Sequence, residues 1–296
     1  MKKLTILDGG MGRELKRIGA PFSQSLWSAQ ALIESPEHVR LAHQRFIESG
    51  AEIIITNSYA CVPFHLGEAL YASDGPRLAG KAAAIAQSAV VESDREVRVA
   101  GCIPPAFGSY RPDLFKPAEA TVIFNALFQS QQPYVDVWIA ETISSLEEFE
   151  VIKTVLSDTN KKCYYAFTLD DEGAEARLRS GESVKNAAKR VCEVGGAGIF
   201  FNCSVPEVME QAIKEARTVI NSLNMDVEIG AYANNFTPIK SDHQANDTLQ
   251  SVRELSPSDY LDFAKRWYQV GATTIGGCCG IGPEHIDVLV KWRDAL

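Results

Sequence analysis

The 296-residue sequence has few of the features that mark nucleic-acid-binding, membrane or secreted proteins. Its 29 lysines and arginines are outnumbered by 38 aspartates and glutamates, so a formal charge of −9 provides no basic surface for nucleic acid phosphates. No apolar run approaches the roughly 18 residues of a membrane span. The first apolar stretch, Leu4 to Leu7, is too short for a secretory signal. An odd number of cysteines favours free thiols in a reducing compartment, and we expect a cytoplasmic protein.

Segments that would divide the chain are also lacking. No linker rich in proline, glycine or serine interrupts it, and no low-complexity segment occurs. The polar stretch Lys240 to Thr248 predicts a surface loop and not a boundary. We therefore expect one domain over residues 1–296.

Short apolar or β-branched runs alternate with amphipathic stretches along the chain, a pattern typical of strand and helix units around a parallel sheet. Eight such runs occur: Leu4 to Leu7, Ile53 to Thr56, Val97 to Cys102, Val137 to Ala140, Tyr164 to Thr168, Gly198 to Asn202, Val227 to Tyr232 and Thr273 to Ile275. Eight parallel strands in one chain of this length favour an α/β fold of the (β/α)8 TIM barrel type. An open doubly wound sheet is the alternative.

Two adjacent cysteines form the most informative motif, Gly276-Gly277-Cys278-Cys279-Gly280, directly after the last of these runs. Adjacent thiols do not pair easily with each other, so a shared metal explains them better. Cys203 also follows a predicted strand, and three thiolates would leave one position of a tetrahedral zinc open for a substrate. Spacing alone does not identify Cys203 as the third ligand. The remaining cysteines, Cys61, Cys102, Cys163 and Cys192, are expected to pack as small apolar residues.

Active sites of (β/α)8 barrels lie at the carboxyl ends of the strands. In this chain those ends carry carboxylates, amides and thiols: Asp8-Gly9-Gly10, Asn57-Ser58, Glu141-Thr142, Cys203, Asn234-Asn235 and Cys278-Cys279. From the residues alone, a solvated Glu141 that caps the following helix is the favoured interpretation, whereas Asp8 could equally form a turn before two glycines.

Taken together, these motifs resemble the zinc-dependent homocysteine S-methyltransferase family. The elements Asp8-Gly9-Gly10-Met11, Leu26-Trp27-Ser28-Ala29, Glu141-Thr142, Asn202-Cys203 and Gly276-Gly277-Cys278-Cys279-Gly280 occur in family order over nearly the whole chain. The Gly-Gly-Cys-Cys element is the specific one.

The resemblance implies an enzyme in which Cys203, Cys278 and Cys279 hold Zn2+ and homocysteine accepts a methyl group to give methionine. It implies that Asp8 and Glu141 are catalytic residues that hold the amino group of homocysteine. Backbone amides of Gly9 and Gly10 would meet its carboxylate. Three further strand-end residues are expected to contact substrate: Asn57, Ser58 and Asn234. Partners would be small molecules, with no nucleic acid and no membrane, and the oligomeric state is open.

The donor expected from the resemblance is a sulfonium compound, S-methylmethionine or S-adenosylmethionine. Several relatives that use S-methylmethionine carry arginine after the paired cysteines and proline after the strand-seven tyrosine, where this chain has Gly280 and Ala233. A different donor or thiol acceptor therefore remains an alternative. So do a zinc-binding or thiol-binding sensor without turnover and a metal-independent thiol enzyme that uses one of the histidines, His38, His43, His65, His243 and His285.

Overall fold

The computed structural model describes residues 3–173, 175–240, 243 and 251–296. Its eight parallel strands are β1 (Thr5–Ile6), β2 (Ile53–Ile55), β3 (Arg98–Ile103), β4 (Val137–Ile143), β5 (Cys163–Phe167), β6 (Gly198–Asn202), β7 (Glu228–Tyr232) and β8 (Thr274–Ile275). They pair in the order β1-β8-β7-β6-β5-β4-β3-β2. A parallel bridge between Leu7 and Ile53 joins the two ends of this order and closes the barrel. The predicted (β/α)8 barrel is confirmed, and each predicted run overlaps a strand.

Helices connect consecutive strands on the outside of the barrel. They are α1 (Met11–Arg17), α2 (Ala29–Glu34), α3 (Pro36–Glu48), α4 (Pro63–Leu66), α5 (Glu68–Val91), α6 (Pro117–Gln131), α7 (Leu146–Val155), α8 (Val184–Glu193), α9 (Pro206–Ser222), α10 (Pro257–Gln269) and α11 (Pro283–Asp294). Short 3-10 turns occupy Pro112–Leu114, Gln132–Tyr134 and Leu156–Asp158. In the described part of the chain, none of these helices has the length and apolarity needed to cross a membrane. The loop predicted at 240–248 falls largely outside the described residues.

Local sequence explains where several helices begin. Ser145 and Ser183 accept a hydrogen bond from the backbone N–H three residues further on, at the starts of α7 and α8. Ser256 and Asp259 form a reciprocal capping box at the start of α10. Such caps satisfy backbone donors that the helix itself leaves unpaired, so they fix the point at which each strand-to-helix loop ends.

Side chains alternate between the barrel interior and the helix layer along each strand. In β4, Val137 and Ile139 belong to the interior cluster, whereas Trp138 packs outward on Phe128 with ring centroids 5.1 Å apart. The same alternation directs the next odd-numbered residue, Glu141, inward at the carboxyl end of the strand. Barrel topology and the alternation of side chains along β4 thus place the carboxylate of Glu141 inside the barrel, at the carboxyl ends of the strands.

The barrel floor is filled by large side chains. Tyr164 of β5 and Phe200 of β6 stack in the interior with ring centroids 4.8 Å apart. Because Gly230 of β7 has no side chain, the Phe200 ring can lie against its backbone. The cavity that could hold a ligand lies above this layer, at the carboxyl ends of the strands.

Candidate active site

One cavity lies at the carboxyl ends of the strands. All but two of the predicted site residues line it: Asp8, Gly9, Gly10, Asn57, Glu141, Cys203, Cys278 and Cys279. The carboxyl ends of β1, β2, β4, β6 and β8 therefore meet at a single site, although the chain separates Asp8 from Cys279 by almost its whole length.

The three cysteines of the cavity come from two strand ends. Cys203 directly follows β6 with a left-handed φ of 49°, and Cys278 and Cys279 follow β8. The Cα atoms of Cys203 and Cys278 are 5.8 Å apart and their sulfurs are paired, whereas Cys279 is a free thiol. Burial raises the pKa of the Cys279 thiol to about 11, and the positive charge of Arg13 partly offsets this rise. No three-residue cluster arranged as a metal site occurs among the described residues.

Glycines allow the loops after β1 and β8 to approach closely. A side chain on Gly10 would overlap the backbone of Cys278, and the N–H of Gly10 donates to the carbonyl of Ile281 at 2.9 Å. Gly280 has a φ of 85°, and a Cβ there would overlap the amide of Asn235. These two positions tolerate only glycine without a backbone shift, because one lacks space and the other also requires a left-handed φ.

Glu141 is held by side chains from two other strands. Its Oε1 accepts a hydrogen bond from the thiol of Cys102 at 3.0 Å, and its Oε2 accepts one from the hydroxyl of Tyr232 at 3.3 Å. Desolvation raises the pKa of Glu141, and these two hydrogen bonds oppose the rise. A bound ammonium group would favour the ionised carboxylate in this buried position.

The backbone next to Glu141 is irregular. The register between β4 and β5 shifts between Ala140 and Ile143, and Thr142 has a left-handed φ of 60°. Asn202 of β6 supports this bulge: its Oδ1 accepts from the Thr142 N–H at 2.9 Å and its Nδ2 donates to the Thr142 hydroxyl at 3.0 Å. Bulges redirect side chains near active sites, and here the same asparagine directly precedes Cys203. The predicted strand ended at Ala140, but β4 extends to Ile143 and therefore includes Glu141.

Asp8 faces the cavity from the end of β1. It is only 3% exposed, and its Oδ2 accepts a hydrogen bond from the N–H of Ile55 at 2.8 Å. Burial raises the pKa of Asp8 well above its usual value, and the negative charge of Glu141 adds to this effect. A cationic group beside the two buried carboxylates would relieve their mutual repulsion.

The three remaining predicted contacts differ in position. Asn57 lines the cavity and donates from Nδ2 to the carbonyl of Ser28 at 3.2 Å. Ser58 lies beneath the surface, fully buried, and donates to Oε1 of Gln131 at 3.0 Å. Asn234 is also fully buried, and its Oδ1 accepts from the N–H of Phe236 at 3.1 Å. Ser58 and Asn234 are therefore not among the residues that line the cavity.

Several residues of the site were not predicted as such from the sequence. Cys102, expected only to pack, is fully buried but also donates to Glu141. Arg13 lines the cavity from α1, and the aromatic residues Trp27, Tyr59, Tyr110 and Phe236 form its walls. Of the five histidines, His65 and His243 also line it. The position of Cys102 at a strand end, like that of Glu141, was the available signal for its role.

The barrel fold and the cavity at the carboxyl ends of its strands are those of a barrel enzyme. Its site is rich in thiols and carboxylates. A family profile described as homocysteine S-methyltransferase matches residues 5–292. The chain therefore belongs to the homocysteine S-methyltransferase family, whose members are methyltransferases.

Individual proteins of known name are similar to this chain over nearly its whole length. Homocysteine S-methyltransferase 2 of Zea mays is 27% identical, with 95% of this chain and 87% of the relative covered. Homocysteine S-methyltransferase YbgG of Bacillus subtilis is 26% identical, with 99% and 95% covered. Selenocysteine methyltransferase of Astragalus bisulcatus is 24% identical, with 98% and 92% covered.

A solved relative has the same fold. The homocysteine methyltransferase MmuM of Escherichia coli in its oxidized form superposes with a TM-score of 0.79 at 25% identity, with 98% of this chain and 96% of that chain covered. Its metallated form gives a TM-score of 0.77 at the same identity and coverage.

Proposed function

We propose that the protein transfers a methyl group from a sulfonium donor, S-methylmethionine or S-adenosylmethionine, to the thiol of L-homocysteine and so forms methionine. One observation carries this proposal: three cysteines and two buried carboxylates, brought from four strand ends, line a single cavity. Family membership makes homocysteine the first acceptor to test.

In the proposed complex, Asp8 and Glu141 hold the ammonium group of homocysteine. Both carboxylates are buried, and an ammonium group would supply the positive charge that this part of the cavity otherwise lacks. The acceptor carboxylate would lie against the loop of Gly9 and Gly10. The Gly10 N–H already donates to Ile281, so the Gly9 N–H is the donor of this pair left for it in the described structure. This orientation directs the acceptor sulfur toward the cysteines.

The three cysteines fit Zn2+ by the chemistry of their donor set. Three thiolates and one open position match a catalytic zinc site, and a Cα distance of 5.8 Å between Cys203 and Cys278 is short enough for both to bind one ion. Because their sulfurs are paired in the structure, loading would require both thiols to be reduced. We propose that Cys203, Cys278 and Cys279 hold the ion, which when bound would keep the acceptor thiol ionised at neutral pH.

The other residues orient the reactants and exclude water. Trp27, Tyr59 and Tyr110 line the cavity, and aromatic faces attract a sulfonium cation. A bond forms between the acceptor sulfur and the methyl carbon as the bond from that carbon to the donor sulfur breaks. The donor leaves as a neutral thioether, and the acceptor thiol proton goes to solvent. Positioning for in-line displacement supplies much of the rate.

The test compares two cysteines by zinc content and by methionine formation. C279S should lose most of the zinc and the activity together. C163S is the matched control, because Cys163 begins β5 at the opposite end of the barrel. A C279S variant that keeps both zinc and activity would overturn the assignment.

The same assay separates the alternative functions. A sensor would bind ligand without consuming the methyl donor, which mass spectrometry measures directly. A metal-independent thiol enzyme would remain active after zinc is removed by a chelator. A cytoplasmic location, small molecules as the only partners and a single domain over residues 1–296 remain predictions alongside this proposal.

A further inference from the structure

Arg13 places a positive charge on the more exposed side of the cavity. It lies on α1, is partly exposed, and its guanidinium carbon is 5.7 Å from the ring centroid of Phe236. Within the described residues no carboxylate forms an ion pair with it. Arg17, on the same helix, instead donates two hydrogen bonds to Glu14 at 2.8 Å each. The guanidinium of Arg13 therefore lines the cavity without a hydrogen-bond partner among the described residues.

The charges of the cavity are separated by depth. Asp8 and Glu141 are 3% and 9% exposed, next to the closed barrel interior. Arg13 is the one arginine or lysine among the described residues that line the cavity. A ligand with an ammonium group deep in the cavity and a second ligand with a carboxylate near the opening would match this arrangement.

We propose that Arg13 binds the carboxylate of the methyl donor and is therefore the residue of this cavity that discriminates against a simple sulfonium cation. This inference rests on the proposed function, in which homocysteine occupies the deep part of the cavity. With the acceptor there, a donor reaches its sulfur from the exposed side, where Arg13 lies.

The positive charge of Arg13 also favours a donor that carries a carboxylate. A sulfonium ion without an anionic group would meet the like charge of Arg13, whereas a donor carboxylate would form a charge-assisted pair with it. The planar guanidinium suits two parallel hydrogen bonds to a carboxylate, which lysine cannot reproduce. Arg13 acts here as a specificity-determining residue that contacts the donor.

Calorimetric binding to the reduced, zinc-free protein tests the proposal without relying on turnover. The probes are homocysteine, S-methylmethionine, S-adenosylmethionine, and (3-aminopropyl)dimethylsulfonium, which is S-methylmethionine without its carboxylate. The variants are R13Q and R13K, with K16Q as the matched control because Lys16 is an exposed cation on the same helix.

We expect R13Q to weaken binding of the amino-acid sulfonium donor by about 10- to 100-fold, the usual effect of losing a charged hydrogen-bonded pair. R13K should recover part of this loss, and K16Q should bind as the wild type does. The probe without a carboxylate should bind wild type and R13Q equally or favour R13Q.

The inference would be overturned if R13Q bound both amino-acid sulfonium donors as the wild type does, or if the wild-type protein bound neither of them. Loss of homocysteine affinity in R13Q, with donor affinity intact, would also overturn it, because Arg13 would then serve the acceptor. Failure of the proposed function is distinct: the wild type would bind the donor through Arg13 but form no methionine.

Discussion

A buried ion pair behind the site gives a quantitative prediction for D171N. Asp171 and Arg179 lie in the loop between β5 and α8, with side chains 0% and 3% exposed and an N–O distance of 2.8 Å. Asp171 also accepts hydrogen bonds from the N–H groups of Val205 and Ile239, both at 3.0 Å. Val205 follows Cys203 by two residues, so this carboxylate anchors the loop that carries a proposed zinc ligand.

The amide in D171N has one oxygen where the carboxylate has two. It can satisfy Val205 or the pair of Ile239 and Arg179, but not all three donors, and the Arg179 guanidinium is left buried without a counter-charge. Breaking one side of a buried pair costs about 3–5 kcal/mol. For a chain of this size, that loss corresponds to a fall in Tm of roughly 5–8 °C.

Urea unfolding of the reduced protein, followed by circular dichroism, measures this change. The control is D287N, because Asp287 pairs with Lys291 at 2.6 Å on the surface of α11 with both side chains substantially exposed. An exposed pair of this type contributes less than about 1 kcal/mol. D171N should also retain less zinc than D287N. A free energy of unfolding for D171N within 1 kcal/mol of wild type would refute the reasoning.

Three further predictions concern the site and the core. E141Q should raise the KM for homocysteine by about 10- to 100-fold and leave zinc content unchanged, because glutamine keeps the shape but not the charge that would pair with an ammonium group; equal KM values in steady-state kinetics would contradict this. C102A should raise the same KM by about 5-fold, since it removes a hydrogen-bond donor to Glu141 worth about 1 kcal/mol, whereas C102S keeps a donor and should recover most of the loss; identical kinetics in C102A and C102S would show that the thiol only packs. Burial lowers the pKa of His43 from its ordinary 6.5 to about 3, so its neutral form stabilises the fold above pH 6.5 and this contribution is lost as the pH falls toward 3. H43L should remove about 2 kcal/mol of the loss in unfolding free energy between pH 7 and pH 5, measured by urea unfolding at both pH values, and an unchanged pH dependence would refute it.

The barrel was predictable because its signals are local. β-branched and apolar runs of strand length alternate with helical patterns, and serine or proline marks several helix starts. Strand parity also predicts that residue 141 points inward once residues 137 and 139 are assigned to the interior. The bulge at Thr142 was not predictable, because it depends on a hydrogen bond from the Thr142 N–H to Asn202, 60 residues away.

The site residues that lie at strand ends could be predicted from the sequence. Asp8, Glu141 and the three cysteines follow from the rule that barrel loops converge at the carboxyl ends of strands. Residues that approach the cavity from elsewhere gave no such signal. Arg13 lies on the first helix, and its orientation depends on how that helix packs beside the loop of Phe236. Ser58 is at a strand end but hydrogen-bonds to Gln131, so polarity at such a position does not by itself mean contact with ligand.

Zinc content and methionine formation, measured on one reduced preparation, test the central claim most directly. The protein would be supplied with homocysteine and, in parallel, with S-methylmethionine, S-adenosylmethionine, betaine or methyltetrahydrofolate. The account predicts close to one zinc per chain and methionine formation with an amino-acid sulfonium donor. Absence of zinc from the reduced protein, or bound zinc without methionine from any of the four donors, would contradict it.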